Sequence, residues 1–237
     1  MIRALVKKFP VFERTAVRLY AAWARFRAER LGIGFRDWTI EDREALRAVW
    51  DQRQSERNHL LLERIAHYGP DSVLEVGSGC GAVLSLVAQR FPQALVTGVE
   101  LNPVAAACGN EWMREEGLTN ARLEPGRAEQ LQQYPDKGFD IVFSSAALMY
   151  VKPEDIAQVL RNTVRIARKA VVLLEMHDDA VRNYLGEFHL PSNWKRNYRR
   201  IFREIGVPDD RISIEPVSER LWQPGGGGGA YIEVRLS

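Results

Sequence analysis

The stretch Val73-Leu74-Glu75-Val76-Gly77-Ser78-Gly79-Cys80-Gly81 carries the most chemistry per residue in this chain. An apolar run takes in a carboxylate, and glycines then fall at every second position. A strand is handing over to a tight turn. Glycine is needed there because a Cβ would block positive φ angles and the approach of a ligand to the backbone. The spacing Gly77-x-Gly79-x-Gly81, with Glu75 two residues ahead, is not the G-x-G-x-x-G of a nicotinamide site. A second acid, Glu100, closes the run Val96-Thr97-Gly98-Val99-Glu100 and precedes Leu101-Asn102-Pro103. Its two acceptor oxygens suit the two hydroxyls of a ribose, although a lone strand-end acid can equally be a solvated one.

A third group is Glu175-Met176-His177-Asp178-Asp179. His177 titrates near neutral pH and is the candidate general base, with Asp178 as its orienter or as a base in its own right. The competing reading of His177 is an exposed loop histidine. His59 and His67 fall on a helix and read as structural, and His189 precedes Leu190-Pro191 in a loop that could border a substrate. Further on, Arg196, Arg199, Arg200 and Arg203 fall at i, i+3, i+4 and i+7, with Trp194, Tyr198, Ile201 and Ile205 roughly opposite. That pattern predicts a helix near Ser192–Ile205 with a basic face. Arg196 and Arg200 are its candidate contacts to an anionic substrate. The alternative is a solvated face with scattered acid partners.

Strands and helices must bring these residues together. After Pro70, apolar strands alternate with amphipathic helices, which implies a parallel sheet covered on both faces. The strands expected are 72–76, 94–100, 121–124, 139–144 and 170–175, with two late ones at 211–217 and 230–236. The helices expected between them are 82–90, 104–116, 128–133 and 153–168. In such a sheet the ligand lies beyond the carboxyl ends of the strands, where Glu75, Glu100 and Glu175 all fall. Ahead of Pro70, apolar residues at steps of three and four predict a helix from Val11 to about Arg30. Two more are expected, at 40–50 with Thr39 as N-cap and Asp42 in the first turn, and at 56–67.

The 237 residues are 46% apolar and 27% charged, ordinary for a globular chain with its own core. Two cysteines, Cys80 and Cys108, make neither a disulfide framework nor a metal-ligand spacing. No stretch has the length of a membrane span, and no apolar signal region stands at the start, so a reducing cytoplasm is the expected compartment. Net charge is +2, but residues 1–36 carry +7 and the rest −5. The basic N-terminal helix suits a lid over the site better than peripheral contact with an anionic membrane, and nucleic-acid binding less well than either.

Residues 72–176 resemble the core of a class I S-adenosylmethionine-dependent methyltransferase. The resemblance rests on E-x-G-x-G-x-G at Glu75–Gly81, on Glu100 after the second strand, and on Phe139-Asp140-Ile141-Val142-Phe143-Ser144-Ser145 followed by Tyr150-Val151. It implies a three-layer Rossmann-like α/β fold with a seven-stranded, mostly parallel sheet in the order 3-2-1-4-5-7-6. Residues 1–69 would be a helical extension or lid and 70–237 the methyltransferase domain. It also implies that Glu75, Gly77, Ser78, Gly79 and Gly81 hold the methionine end of S-adenosylmethionine. Glu100 would bind the ribose and Leu101 would pack on the adenine. Many members have an aspartate where this chain has Arg127, so the adenine contact passes to Ala128 and Glu129. Ser144 would face the cofactor, and Tyr150 the acceptor. No metal is implied.

Ser144-Ser145-Ala146-Ala147 stands where methyltransferases of exocyclic base amines carry (Asp/Asn)-Pro-Pro-(Tyr/Phe), which argues against that chemistry. Neither cysteine sits where cytosine-C5 enzymes keep a nucleophile. The expected activity is therefore O-methylation of a small metabolite or glycan precursor, on a loose similarity to bacterial small-molecule and sugar methyltransferases. The alternatives are an RNA or protein methyltransferase, and a non-catalytic S-adenosylmethionine-binding partner subunit.

Overall fold

Alternation decides which way each strand faces. The structure, a computed structural model, describes residues 42–182, 187–189, 193–222 and 228–237. The expected N-terminal basic helix, the Thr39 cap and most of the Gly225–Gly229 tract lie outside the described residues. The strands are β1 (Ser72–Val76), β2 (Leu95–Glu100), β3 (Ala121–Pro125), β4 (Phe139–Ser145), β5 (Ala167–Met176), β6 (Glu187–His189), β7 (Asn193–Lys195), β8 (Ile212–Pro216) and β9 (Gly229–Arg235). The helices are α1 (Arg43–Asp51), α2 (Glu56–Ala66), α3 (Ala82–Arg90), α4 (Pro103–Glu115), α5 (Ile156–Ile166) and α6 (Tyr198–Glu204). Seven strands form one sheet in the order β3-β2-β1-β4-β5-β9-β8. The first five are parallel, β9 runs antiparallel to β5, and β8, antiparallel to β9, runs in the direction of the first five. With the separate hairpin β6-β7 set aside, this is the expected order 3-2-1-4-5-7-6.

Successive side chains leave opposite faces of each strand. Val73 of β1 and Val172 and Leu174 of β5 join Leu46, Trp50, Leu61 and Ile65 of α1 and α2 and the buried faces of α3 and α4. Leu74, Val171 and Leu173 pack on the other side with Val159 and Leu160 of α5 and Ile201 and Phe202 of α6. Trp50 stacks at 5.5 Å on Trp112 of α4. Residues 42–69 thus share the core of the sheet.

Caps explain the helix starts. Asp42 is the N-cap of α1, one turn edge later than expected, its carboxylate taking the Glu44 N–H at 2.9 Å. Ser55 caps α2, and Asn102, followed by Pro103 at the first position, caps α4. Residues 128–133 form a 3-10 helix. The strand expected at 170–175 starts earlier, at Ala167, because α5 ends at Ile166 and the chain runs directly into β5.

The expected helix over 192–205 is corrected. Residues 193–195 are extended and pair with β6. Arg196 bridges to the end of β5, its N–H donating to Met176 O at 3.3 Å while Asp178 N–H donates to Arg196 O at 3.1 Å. Only after Asn197, whose side chain caps Arg200 N–H at 3.0 Å, does α6 begin.

The amino ends of the strands are closed by ions. Asp140, buried at the start of β4, accepts from Asp71 N–H at 2.8 Å and Arg168 Nε at 2.7 Å, and Lys169 stands 3.4 Å away. Burial works against its ionisation, but these partners outweigh it and hold the carboxyl below its ordinary range. A hollow of about 360 Å³ lined by Asp136, Lys137, Arg165 and Leu236 also lies at this end, the wrong end for a ligand of this sheet type.

Candidate cofactor and acceptor site

The glycine turn is pinned to the neighbouring strand. Gly77 and Ser78 N–H both donate to Val99 O, at 2.8 and 3.2 Å. Gly77, Gly79 and Gly81 have φ of +75°, +56° and +78°, in the left-handed region that disfavours any side chain. They differ in surroundings. A Cβ on Gly77 would lie 2.3 Å from Ala147 Cβ, so the turn packs directly on the loop after β4. A Cβ on Gly79 would meet nothing within 4 Å. Gly81 is the N-cap of α3.

Two further glycines make the turn possible and were missed in the sequence. A Cβ on Gly98 of β2 would come within 2.3 Å of Ser78 Oγ, and one on Gly109 of α4 within 2.3 Å of Cys80 O. The readable signal was glycine inside a strand and inside a helix, which marks a close backbone approach. Ser78 is buried over Gly98 and donates to Glu75 O at 3.2 Å.

Two acids lie beneath the turn. Glu100 is buried, with Oε2 accepting Gly79 N–H at 2.7 Å and Oε1 accepting Asn102 N–H at 2.8 Å. Burial pushes its carboxyl up, against the pull of those N–H groups. Glu75 is fully buried and its Oε2 has no partner. Desolvation, with the nearby Glu100 charge second, drives its carboxyl well above the ordinary range. Leu101 and Val104 beside them are the exposed apolar side chains, at 38% and 36%. Ala128 and Glu129 are half-buried, and Arg127 lies 3.5 Å from Glu129.

A different cluster stands at the ends of β4 and β5. Ser144 is fully buried and donates to Glu175 Oε1 at 2.9 Å, so its hydroxyl is turned into the protein. The backbone N–H groups of Ala147, Leu148 and Met149 also converge on Glu175, at 3.0, 2.9 and 3.1 Å. These residues open a 3-10 turn, Leu148–Tyr150, that holds the half-buried Tyr150 at the edge of the site. Arg196 is fully buried and donates to Leu148 O at 2.7 Å and to Val151 O. It does not share a face with Arg200, which pairs with Glu204 at 2.9 Å and also reaches Arg182 O. Arg199 and Arg203 both approach Asp209.

His177 follows β5 with its side chain only 6% exposed. Its Nδ1 accepts Tyr198 N–H at 3.2 Å, which leaves the proton of the neutral ring on Nε2, 3.2 Å from Asp179 Oδ1. Asp178 accepts from Lys195 Nζ at 2.9 Å and from Ala180 N–H at 2.8 Å, and both hold it below its ordinary range. Burial lowers the His177 pKa against the pull of Asp179 and Asp178. A His depressed in the folded state stabilises fully above the unfolded value of about 6.5 and loses that contribution as pH falls. The melting-temperature advantage of the parent over His177→Gln is therefore expected to shrink below about pH 6.5. Thermal melts from pH 5 to 8 check this, and a pH-independent difference would contradict it.

Among the described residues, no group of three or more His, Cys, Asp or Glu is placed to hold a metal, and no helix is long and apolar enough to cross a membrane.

Residues 73–170 match the family model described as a methyltransferase domain. A solved O-methyltransferase family protein from Burkholderia thailandensis superposes with a TM-score of 0.61 at 16% identity, over 92% of this chain and 70% of that one. The relative named probable methyltransferase ltbC, of Aspergillus luteorubrus, is 24% identical over 85% of this chain and 71% of its own length. The tRNA1(Val) (adenine(37)-N6)-methyltransferase of Porphyromonas gingivalis is 49% identical, but over 39 residues only. The chain covers 15% of the length of that relative. With the sheet order above, residues 73–170 carry a methyltransferase domain in a fold similar to that of the class I S-adenosylmethionine-dependent methyltransferase family. S-adenosylmethionine is the cofactor of that family. The residues present fit it: a turn open at Gly79, a buried strand-end carboxylate with lone pairs to spare, an unpartnered buried Glu75 oxygen, and exposed apolar side chains beside them.

Proposed function

We propose that this chain transfers a methyl group from S-adenosylmethionine to a hydroxyl of a small molecule, a metabolite or glycan precursor. The observation that carries the donor half is the pairing of Gly79, open on its Cβ side, with Glu100 directly behind its N–H. A carboxylate offers about four lone-pair positions, and two are taken by Gly79 and Asn102 N–H. The remaining ones would accept the ribose hydroxyls. Gly77–Gly81 would hold the methionine end, Leu101 and Val104 would cover the adenine face, and Ala128 and Glu129 would border its edge.

When bound, the cofactor supplies a methyl group made electrophilic by its sulfonium. The chain's own part is alignment, which alone can supply several kcal/mol of a barrier. His177 and Asp178 remain the nearest acid–base groups after β5, but both are engaged, Nδ1 of His177 by Tyr198 N–H and Asp178 by Lys195. On this reading Tyr150 and the turn it sits on face the acceptor.

The small-molecule reading is supported by Ser144-Ser145-Ala146-Ala147 at the end of β4, which offers neither the amide nor the stacking ring that an exocyclic base amine needs. The test is transfer of labelled methyl from S-adenosylmethionine to a panel of sugars, phenols and carboxylates, with unmodified tRNA alongside. Labelling of a hydroxyl-bearing small molecule is the expected result. Labelling of tRNA alone overturns the acceptor class, and cofactor binding with no transfer to anything favours a non-catalytic partner subunit.

A further inference from the structure

The turn between β4 and α5 is held from both ends by buried charge. Glu175 takes three successive N–H groups at its start, those of Ala147, Leu148 and Met149, together with the Ser144 hydroxyl. Arg196 takes two of its carbonyls, Leu148 O and, at its finish, Val151 O. A carboxylate at the amino end and a guanidinium at the carbonyl end both suit the turn's dipole. Both side chains are fully buried. They come from separate segments, the end of β5 and the bridge before α6.

What they hold is a strained piece of backbone. Ala146 has φ of +54°, a left-handed conformation that costs a non-glycine residue free energy and persists only where its surroundings over-determine it. Ala146 N–H is fixed to Leu174 O at 2.8 Å, and the next three N–H groups are those on Glu175. One residue on, Ala147 fills the space that a Cβ on Gly77 would need. The strained turn therefore touches the donor loop on one side and carries Tyr150 on the other.

We propose that Glu175 and Arg196 are a positioning pair that clamps turn 147–151, and with it the strained Ala146 that leads into it, and so sets the donor loop and the acceptor edge relative to each other. The proposal rests on the methyltransferase reading for its purpose, though not for its geometry. Neither residue touches a reactant, and each acts through the turn.

The test uses the full chain as wild type, Glu175→Gln, and Glu175→Gln with Ala146→Gly. Gln keeps the size but turns one acceptor oxygen into a donor facing N–H groups. Amide hydrogen exchange is followed at residues 147–149, with the peptide covering α4 as the internal reference, and S-adenosylmethionine binding is measured by calorimetry. In Glu175→Gln, exchange at 147–149 is expected to rise at least tenfold with the α4 peptide unchanged, and cofactor affinity to fall about tenfold. Ala146→Gly removes the strain that the clamp opposes, so the double variant recovers most of both losses. Unchanged exchange and affinity in Glu175→Gln overturn the proposal, as does a double variant no better than the single one. If Glu175→Gln does not fold, Arg196→Lys carries the same comparison, since it keeps the charge and gives up the two-carbonyl fork. Should wild type bind no S-adenosylmethionine, the methyltransferase reading fails, while the exchange comparison still decides the clamp.

Discussion

Replacing Glu100 with alanine is expected to weaken S-adenosylmethionine binding by at least a hundredfold while the chain still folds. The carboxylate has two tasks. It anchors Gly79 N–H at 2.7 Å and Asn102 N–H at 2.8 Å, and on the proposed reading its free lone pairs would accept the ribose hydroxyls. Hydrogen bonds to a charged group contribute about 1.5–3 kcal/mol each, so losing two to the ligand costs roughly 3–6 kcal/mol, or about two to four decades in affinity. The fold survives because its loss is partly offset. Burial already penalises this carboxylate, as its raised pKa records, and removing it relieves that penalty together with repulsion on Glu75. Calorimetry is the direct check, supported by thermal shift, since ligand at a hundred times Kd adds about 2.7 kcal/mol to stability. A variant that retains the parent affinity would remove Glu100 from the site. In the parent, affinity should decline on acidification from a higher pH than an ordinary carboxylate would give, because Glu100 binds its proton early.

Gly79→Ala, set against Gly69→Ala, is expected to give the second large effect. The two positions are matched: φ is +56° at Gly79 and +51° at Gly69, and a Cβ would meet nothing within 4 Å at either. Placing an L-residue there costs about 1–2 kcal/mol, and each kcal/mol lowers Tm by about 2–4 °C in a chain of this size. Both variants should therefore fold and melt several degrees early. Only Gly79 lies on the glycine turn proposed to hold the donor, so only Gly79→Ala should lose cofactor, by tenfold or more. Equal affinities in the two variants would show that the space beside Gly79 is not where the donor passes.

The donor half of this site was legible because it is local. Glycine at positive φ after an apolar strand leaves a mark on the sequence, and Glu75 and Glu100 each stand out as an acid at the carboxyl end of a buried strand. The sheet order came from the family resemblance, and the structure has it with one small hairpin added. The half proposed to face the acceptor was not legible, because its partners are distant along the chain. Arg196 sits 48 residues from Leu148, whose carbonyl it holds, and Glu175 sits 28 from Ala147. Arginines at 196, 199, 200 and 203 imitate a helix face, yet Arg196 is extended, because its backbone pairs with the end of β5 before Asn197 starts the helix. Ser144 reads as a strand-end hydroxyl and is spent on Glu175. The left-handed Ala146 has no glycine to announce it, and the residues that hold it come from elsewhere.

The ion cluster at Asp140 gives the sheet two electrically unlike edges. At the amino edge a carboxylate is held below its ordinary range, so its stabilisation is present at neutral pH and is lost only as pH falls through that depressed value. At the carboxyl edge Glu75, Glu100 and Glu175 are raised by burial, so their contribution is full below about pH 4.5 and is withdrawn as pH climbs through their folded values. The molecule is thereby polarised along its strands, firm at one rim and under tension at the other. A positively charged ligand arriving at neutral pH meets the one rim where added positive charge relieves a cost that folding has already incurred.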